Sequence, residues 1–302
     1  MSDPGSPPAA SDPRRSIGRR VFVVGAGIMG SGIAAECALR GYFVTLEDTT
    51  EVFAERGRAN ALRALEHQVR KGHLSAADAA AAAARIDPAI GMRRISSADI
   101  VVEAAPENLA LKREIFREIE AGAAPDALLG SNTSSLPITS IGQDLKDPGR
   151  LVGIHFFNPV LQMALVEIIP GLRTRPEEVA RAREFALALG KTVVLSKDTP
   201  GFVTTRALAV LVNEAAWMLY EGVATAEDID TAYVLGFHHP MGPFALIDLV
   251  GIDTAVSILD VLWEGYRDPK YRVCPLLKSM VAAGRLGRKT GEGFFRYPAP
   301  EP

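Results

Sequence analysis

The stretch Val152-Gly-Ile-His-Phe-Phe-Asn-Pro-Val160, with Met163-Ala-Leu-Val-Glu-Ile-Ile169 just beyond it, sets an imidazole (His155), an amide (Asn158) and a carboxylate (Glu167) into apolar surroundings. Two apolar runs of this length around a proline turn predict a pair of buried strands. Glu167, among Leu165, Val166, Ile168 and Ile169, would face several kcal/mol of desolvation without a partner. His155 is the nearest candidate. A histidine held by a buried carboxylate has one tautomer and suits general acid–base work, although the same two residues could form a purely structural polar pair.

A second constellation opens the chain. Val21-Phe-Val-Val24 predicts a strand, Gly25-Ala-Gly-Ile-Met-Gly30 follows at once, and Ser31 to Arg40 reads as a helix ending at Gly41. Tyr42-Phe-Val-Thr-Leu46 predicts a second strand, closing on Glu47-Asp48. In this context the glycines have separate tasks: Gly25 makes the turn, Gly27 lets a pyrophosphate approach the backbone, and Gly30 allows close helix–strand packing. The expected cofactor contacts are Gly25, Ala26, Gly27, Ile28, Met29 and Gly30, with the phosphates at the helix N-terminus. Asp48 lies about 20 residues on, where a carboxylate meets the ribose hydroxyls and disfavours a 2′-phosphate, so NAD is expected over NADP. The glycine motif alone leaves a flavin dinucleotide open.

Further polar groups fall at strand ends. Ile100-Val-Val102 runs into Glu103-Ala-Ala-Pro-Glu107, and Leu128-Leu129-Gly130 into Ser131-Asn-Thr-Ser-Ser135. Carboxyl ends of parallel strands form the ligand edge of such a sheet, which favours a cofactor role for the second run over a plain turn and helix cap.

The elements that must carry these groups read as two units. Long helical patterns at 50–71 and 76–86, the latter nearly all alanine, make an excursion after the second strand and suggest a ligand-facing insertion. Helices are predicted at 111–119 and 177–189 and a strand at 192–195. After Asp198-Thr-Pro-Gly-Phe202 no β-alternation appears, and helices are predicted at 203–220, 226–235, 252–265 and 275–283. The first is apolar nearly all round, so it is central or in a subunit interface. The loop His238-His239-Pro-Met-Gly-Pro243 is given a structural role. The expectation is an α/β Rossmann-type N-terminal domain with a helical excursion (19–199), then an all-α C-terminal domain for substrate and dimerisation (200–297).

Composition sets the bounds. The 302 residues are 48% hydrophobic and 23% charged with net charge −3, which offers no nucleic-acid surface. No apolar run approaches the roughly 20 residues that span a bilayer. Cys37 and Cys274 are the only cysteines, so a reducing, cytoplasmic setting is expected, and no histidine is spaced with them as a metal ligand. Residues 1–18 lack a signal-peptide core, and Asp3 and Asp12 argue against a transit peptide; they read as a disordered tail.

Taken in order, these motifs resemble the L-3-hydroxyacyl-CoA dehydrogenases, whose small single-activity members are 3-hydroxybutyryl-CoA dehydrogenases. The resemblance covers residues 19–297 and adds Lys197-Asp-Thr-Pro-Gly-Phe202, Pro240-Met-Gly-Pro243 and Lys289-Thr-Gly-Glu-Gly-Phe294 to the motifs above. It implies NAD-dependent oxidation of a (3S)-3-hydroxyacyl-CoA, with His155 as acid/base, Glu167 orienting it, and Ser134 and Asn158 contacting substrate and nicotinamide. By the same resemblance Asp48, Glu107, Lys112 and Asn132 are cofactor contacts, Lys289 closes over the cofactor, and Lys71 meets coenzyme A. Thr205 stands where the family usually has an Asn near the substrate, and Ala64 replaces a Ser that commonly contacts coenzyme A. A homodimer through the helical domain is expected. Two alternatives stay open: a dehydrogenase of a free hydroxy acid of the gulonate or carnitine type, and a non-catalytic NAD-binding structural protein.

Overall fold

Strands in this chain alternate their side chains between two separate apolar layers, which places Glu103, Ser131, His155 and Glu167 on one face of the sheet. The computed structural model describes residues 18–298, so the tail expected at 1–18 lies outside the described residues except for Gly18. Eight strands form one sheet: β1 (Arg20–Val24), β2 (Phe43–Asp48), β3 (Ile86–Ile90), β4 (Ile100–Glu103), β5 (Leu128–Ser131), β6 (Leu151–Phe156), β7 (Leu165–Pro170) and β8 (Thr192–Leu195). Their spatial order is β3-β2-β1-β4-β5-β6-β7-β8, parallel throughout except for the antiparallel β6–β7 pair. The first six strands have the doubly wound order whose ligand crevice opens at the carboxyl ends of β1 and β4.

Val21, Val23, Ile100, Val102, Ile154 and Ile168 face one layer. There they pack on α1 (Ile28–Leu39), α2 (Glu51–Arg70), α3 (Ala76–Ala83) and α6 (Pro176–Ala188). Phe22, Val24, Val101, Leu129 and Ile169 face the other, against α4 (Leu109–Gly122) and α5 (Ile138–Ile141). Thr50 and Ser75 cap α2 and α3 through side-chain oxygens that accept from Phe53 and Asp78 N–H, so the excursion is built of properly ended helices.

One expectation is corrected here. Arg85 and Ile86 do not prolong the alanine helix; Ile86 begins β3, which pairs with β2 from Val44↔Ile86 to Asp48↔Ile90. Pro88 fits within β3 because β3 is the edge strand, where a proline can sit without breaking an inner ladder.

The second unit is helical: α7 (Thr204–Tyr220), α8 (Ala226–Phe237), α9 (Pro243–Val250), α10 (Ile252–Tyr266) and α11 (Pro275–Ala282). They enclose a third core built on Ala216, Phe244, Leu259, Tyr271 and Leu277. Helix α9 is an addition to the expected set; Pro243 at its first turn was the available signal. The carboxylate of Asp230 caps it, accepting from Phe244 and Ala245 N–H at 2.8 and 2.9 Å. The Lys289-to-Phe294 segment is clamped by buried Asp248, which accepts from Phe294 N at 3.0 Å and Phe295 N at 2.9 Å.

Candidate active site

Because side chains alternate, Glu103, Ser131, His155 and Glu167 share the sheet face that carries Val101, Leu129 and Ile169. The register sets Glu103 beside Ser131 and His155 opposite Glu167. Directly opposite residues in an antiparallel pair have neighbouring side chains, and His155 Nδ1 lies 2.8 Å from Glu167 Oε2. Glu167 is fully buried. Burial opposes its charge, yet the hydrogen bonds from His155 and Thr204 outweigh that and hold its carboxyl below the ordinary range. An ionised carboxylate only accepts, so Nδ1 carries the proton and Nε2 is the free ring nitrogen. Phe157 and Phe202 wall the imidazole, with ring centroids 4.4 and 6.0 Å away.

The third member of this cluster is Thr204. As the first residue of α7 it donates its N–H to Glu167 Oε1 at 3.0 Å and its hydroxyl to Oε2 at 3.1 Å. A carboxylate at a helix N-terminus is favoured by the backbone dipoles as well as the direct bonds. The buried glutamate therefore fastens the helical unit to the sheet. Thr205, at the position singled out by the resemblance, is nine-tenths buried on the same helix.

The cofactor edge bears the expected marks. Gly25 has φ +96°, and a Cβ on Gly30 would lie 1.8 Å from Gly25 O, so both glycines answer to the protein itself. A Cβ on Gly27 would meet nothing within 4 Å. The space it would fill lies open in front of α1, whose N-cap Gly27 supplies no side-chain acceptor to the first turn. Unpartnered helix N–H groups around a cradle free of side chain fit a dinucleotide pyrophosphate. Asp48 at the end of β2 accepts from Ala26 N at 2.9 Å and Thr49 N at 2.7 Å, which braces the loop and holds a carboxylate beside it.

Glu103 and Glu107 organise the neighbouring loops. Glu103 accepts from Lys112 Nζ at 2.5 Å, Ala105 N at 2.8 Å and Ser131 Oγ at 2.6 Å. Glu107 accepts from Thr133 Oγ1 at 2.7 Å, Ser134 N at 3.0 Å and Ser135 N at 2.9 Å. Burial opposes the charge on Glu107, but Lys112 and the Thr133 and Ser135 bonds outweigh it and keep its carboxyl below the usual range. The Lys112 side chain is 1% exposed, and its donors go to Glu103, Ala105 O and Glu107. It supports the loop around Ser134 from beneath.

The remaining residues divide. Asn132 Oδ1 accepts from Phe156 N at 2.8 Å, tying the end of β5 to the residue after His155. Asn158 is exposed in the β6–β7 connection. Lys71 ends α2 and lines, with Gln68, His73 and Leu161, a cleft of about 410 Å³. Lys289 lies 2.6 Å from Asp253 Oδ1, an ion pair within the helical unit.

Residues 20–199 match the model for the 3-hydroxyacyl-CoA dehydrogenase NAD-binding domain, and residues 201–297 match that for the C-terminal domain of the same family. The chain belongs to the 3-hydroxyacyl-CoA dehydrogenase family. It is 44% identical over 279 residues to a probable 3-hydroxybutyryl-CoA dehydrogenase of Bacillus subtilis, spanning 92% of this chain and 97% of that one. To the 3-hydroxybutyryl-CoA dehydrogenase of Bradyrhizobium diazoefficiens it is 44% identical over 284 residues, or 94% and 97% of the two chains. The crystal structure of (S)-3-hydroxybutyryl-CoA dehydrogenase from Ralstonia eutropha superposes with a TM-score of 0.88 at 42% identity, covering 94% of this chain and 100% of that one. This dehydrogenase is thus an NAD-dependent oxidoreductase of the 3-hydroxyacyl-CoA class. Among its described residues no helix is long and apolar enough to cross a membrane.

Proposed function

We propose that this chain reversibly oxidises a short-chain (3S)-3-hydroxyacyl-CoA, 3-hydroxybutyryl-CoA foremost, with His155 as the acid/base. The observation that carries the assignment is the His155–Glu167–Thr204 cluster, in which Nδ1 is committed and Nε2 is left to act. In the oxidative direction Nε2 takes the proton of the 3-hydroxyl; in reverse it returns it to the developing alkoxide. Glu167, ionised and dry, stabilises the imidazolium between those events. Ser134 and Asn158 donate to the substrate oxygen as charge builds on it. NAD, when bound, supplies the hydride acceptor, held by Gly25 to Gly30 and Asp48, with Glu107, Asn132 and Lys289 as further contacts. Lys112 serves by holding Glu103 and Glu107, and Lys71 and Thr205 border the acyl-CoA.

The short-chain preference rests on the names of the relatives at 42–44% identity. The division at 199/200, a cytoplasmic setting and a homodimer belong to the same reading. Support for the dimer is the exposed apolar set Leu235, Phe237, Leu249 and Val250 on α8 and α9.

Following nicotinamide absorbance with acetoacetyl-CoA and with longer 3-ketoacyl-CoAs, using NADH and NADPH in parallel, tests the proposal. The C4 thioester with NADH is expected to give the highest kcat/KM. Equal or better use of a longer acyl chain would refute the chain-length assignment, and turnover of free 3-keto acids without coenzyme A would refute the substrate class.

A further inference from the structure

Behind the active site, a buried ammonium grips the connection that joins its two halves. Lys191 is 7% exposed, and its Nζ lies 2.9 Å from Glu36 Oε2, 2.7 Å from Val160 O and 3.1 Å from Met163 O. Those three acceptors use all three donors of the ammonium. Glu36 is itself buried on α1, with its other oxygen 3.0 Å from Arg40 Nε. Val160 and Met163 stand at either end of a tight turn in which Gln162 N and Met163 N both donate to Pro159 O at 3.0 Å. That turn lies in the connection from His155 on β6 to Glu167 on β7, and Asn158 immediately precedes it. It also seats directly on α1, since a Cβ on Gly32 would approach Val160 Cγ2 to 2.8 Å.

Local sequence explains how Lys191 comes to point inward. Helix α6 stops at Gly190, at φ +75°, where Gly190 N donates to Leu187 O and Lys191 N to Ala186 O. The chain thereby reverses next to Ala164, whose carbonyl accepts from Thr192 N at 2.7 Å. A buried charged pair adds little stability over apolar replacements of similar volume, so stability alone does not account for this one.

We propose that Lys191, through Glu36, is a positioning residue that sets the place of Asn158 relative to the cofactor helix α1. Helix α1 presents its N-terminus to the dinucleotide, and the turn presents Asn158 to the substrate, so the Lys191–Glu36 bridge fixes the separation of the two reactants. This rests on the reading of Asn158 given above. Displacements near 1 Å can cost about 100-fold in rate, which sets the size of the effect.

The test is a rate cycle on the full chain with NADH and acetoacetyl-CoA, comparing Asn158→Ala, the paired Glu36→Leu/Lys191→Met, and all three changes together. The paired variant is expected to lose roughly 10- to 100-fold in kcat, with KM for NADH within about twofold of wild type. Adding Asn158→Ala to it is expected to cost little more, because the amide is already displaced. Wild-type kcat in the paired variant, or losses that multiply across the cycle, would overturn the proposal. Full activity of Asn158→Ala would remove the reading of Asn158 on which it stands, whereas an impaired Asn158→Ala beside an unimpaired pair overturns the positioning role alone. Should the paired variant fail to fold, Lys191→Arg keeps the charge against Glu36 but presents a planar fork in place of three tetrahedral donors. It is expected to show the same kcat loss, and wild-type kcat there would equally overturn the proposal.

Discussion

Glu167 is the residue on which the site's electrostatics turn. Its apolar neighbours made the need for a partner legible in the sequence, and His155 was the partner. The contribution of Thr204 was not legible, because it depends on a helix N-terminus 37 residues away arriving above the strand. Nor was the burial of Lys112 legible, because it depends on the sheet placing Glu103 beneath it. The depressed carboxyl of Glu167 has a signed consequence. A group whose folded pKa lies below its unfolded value stabilises the fold above the unfolded pKa, near 4.3, and that contribution is lost as pH falls through the lower folded value. Urea unfolding of wild type and Glu167→Gln is therefore expected to differ by a constant amount above about pH 5 and by progressively less below about 4.3. A difference that persists unchanged to low pH would contradict an ionised Glu167.

At the scale of elements, the glycine loop separates structural from ligand demands. Gly30 packs against its own turn and Gly27 against nothing in the chain. Gly30→Ala is expected to lower thermal stability sharply, since its new methyl would overlap Gly25 O. Gly27→Ala is expected to keep wild-type stability and lose about tenfold or more in NADH affinity, which is about 1.4 kcal/mol. Calorimetric titration of NADH alongside thermal unfolding reads both, and an NADH affinity unchanged in Gly27→Ala would contradict the placement of the pyrophosphate. The strand–glycine–helix–strand order was readable because each residue type has one task there. Strand β3 was not, because it contains Pro88, which only the edge position makes acceptable in a sheet.

Over the whole molecule, the helical unit meets the sheet through Glu167 and Thr204, and the Gly201–Arg206 segment is held from both sides. Gly201 N donates to Ser135 O at 3.2 Å, and Arg206 Nε to Tyr271 OH at 2.7 Å. The apolar side chains left outward on α8 and α9 belong to the proposed subunit contact. Phe237, 66% exposed, is its best-placed anchor. Phe237→Glu is expected to shift the molar mass measured by light scattering from dimer to monomer, and an unchanged dimer would move the contact elsewhere. That the second unit is helical was clear from the loss of β-alternation after Phe202; the clamp on Asp248 was not, because it depends on contacts made across the domain.

The most direct test of the account is His155→Gln, which keeps a polar side chain beside Glu167 and removes the titrating nitrogen. Single-turnover oxidation of NADH by acetoacetyl-CoA is expected to slow by about 10²–10⁴, with NADH affinity by fluorescence titration unchanged. A rate within a few-fold of wild type would contradict the assignment of His155 as the acid/base.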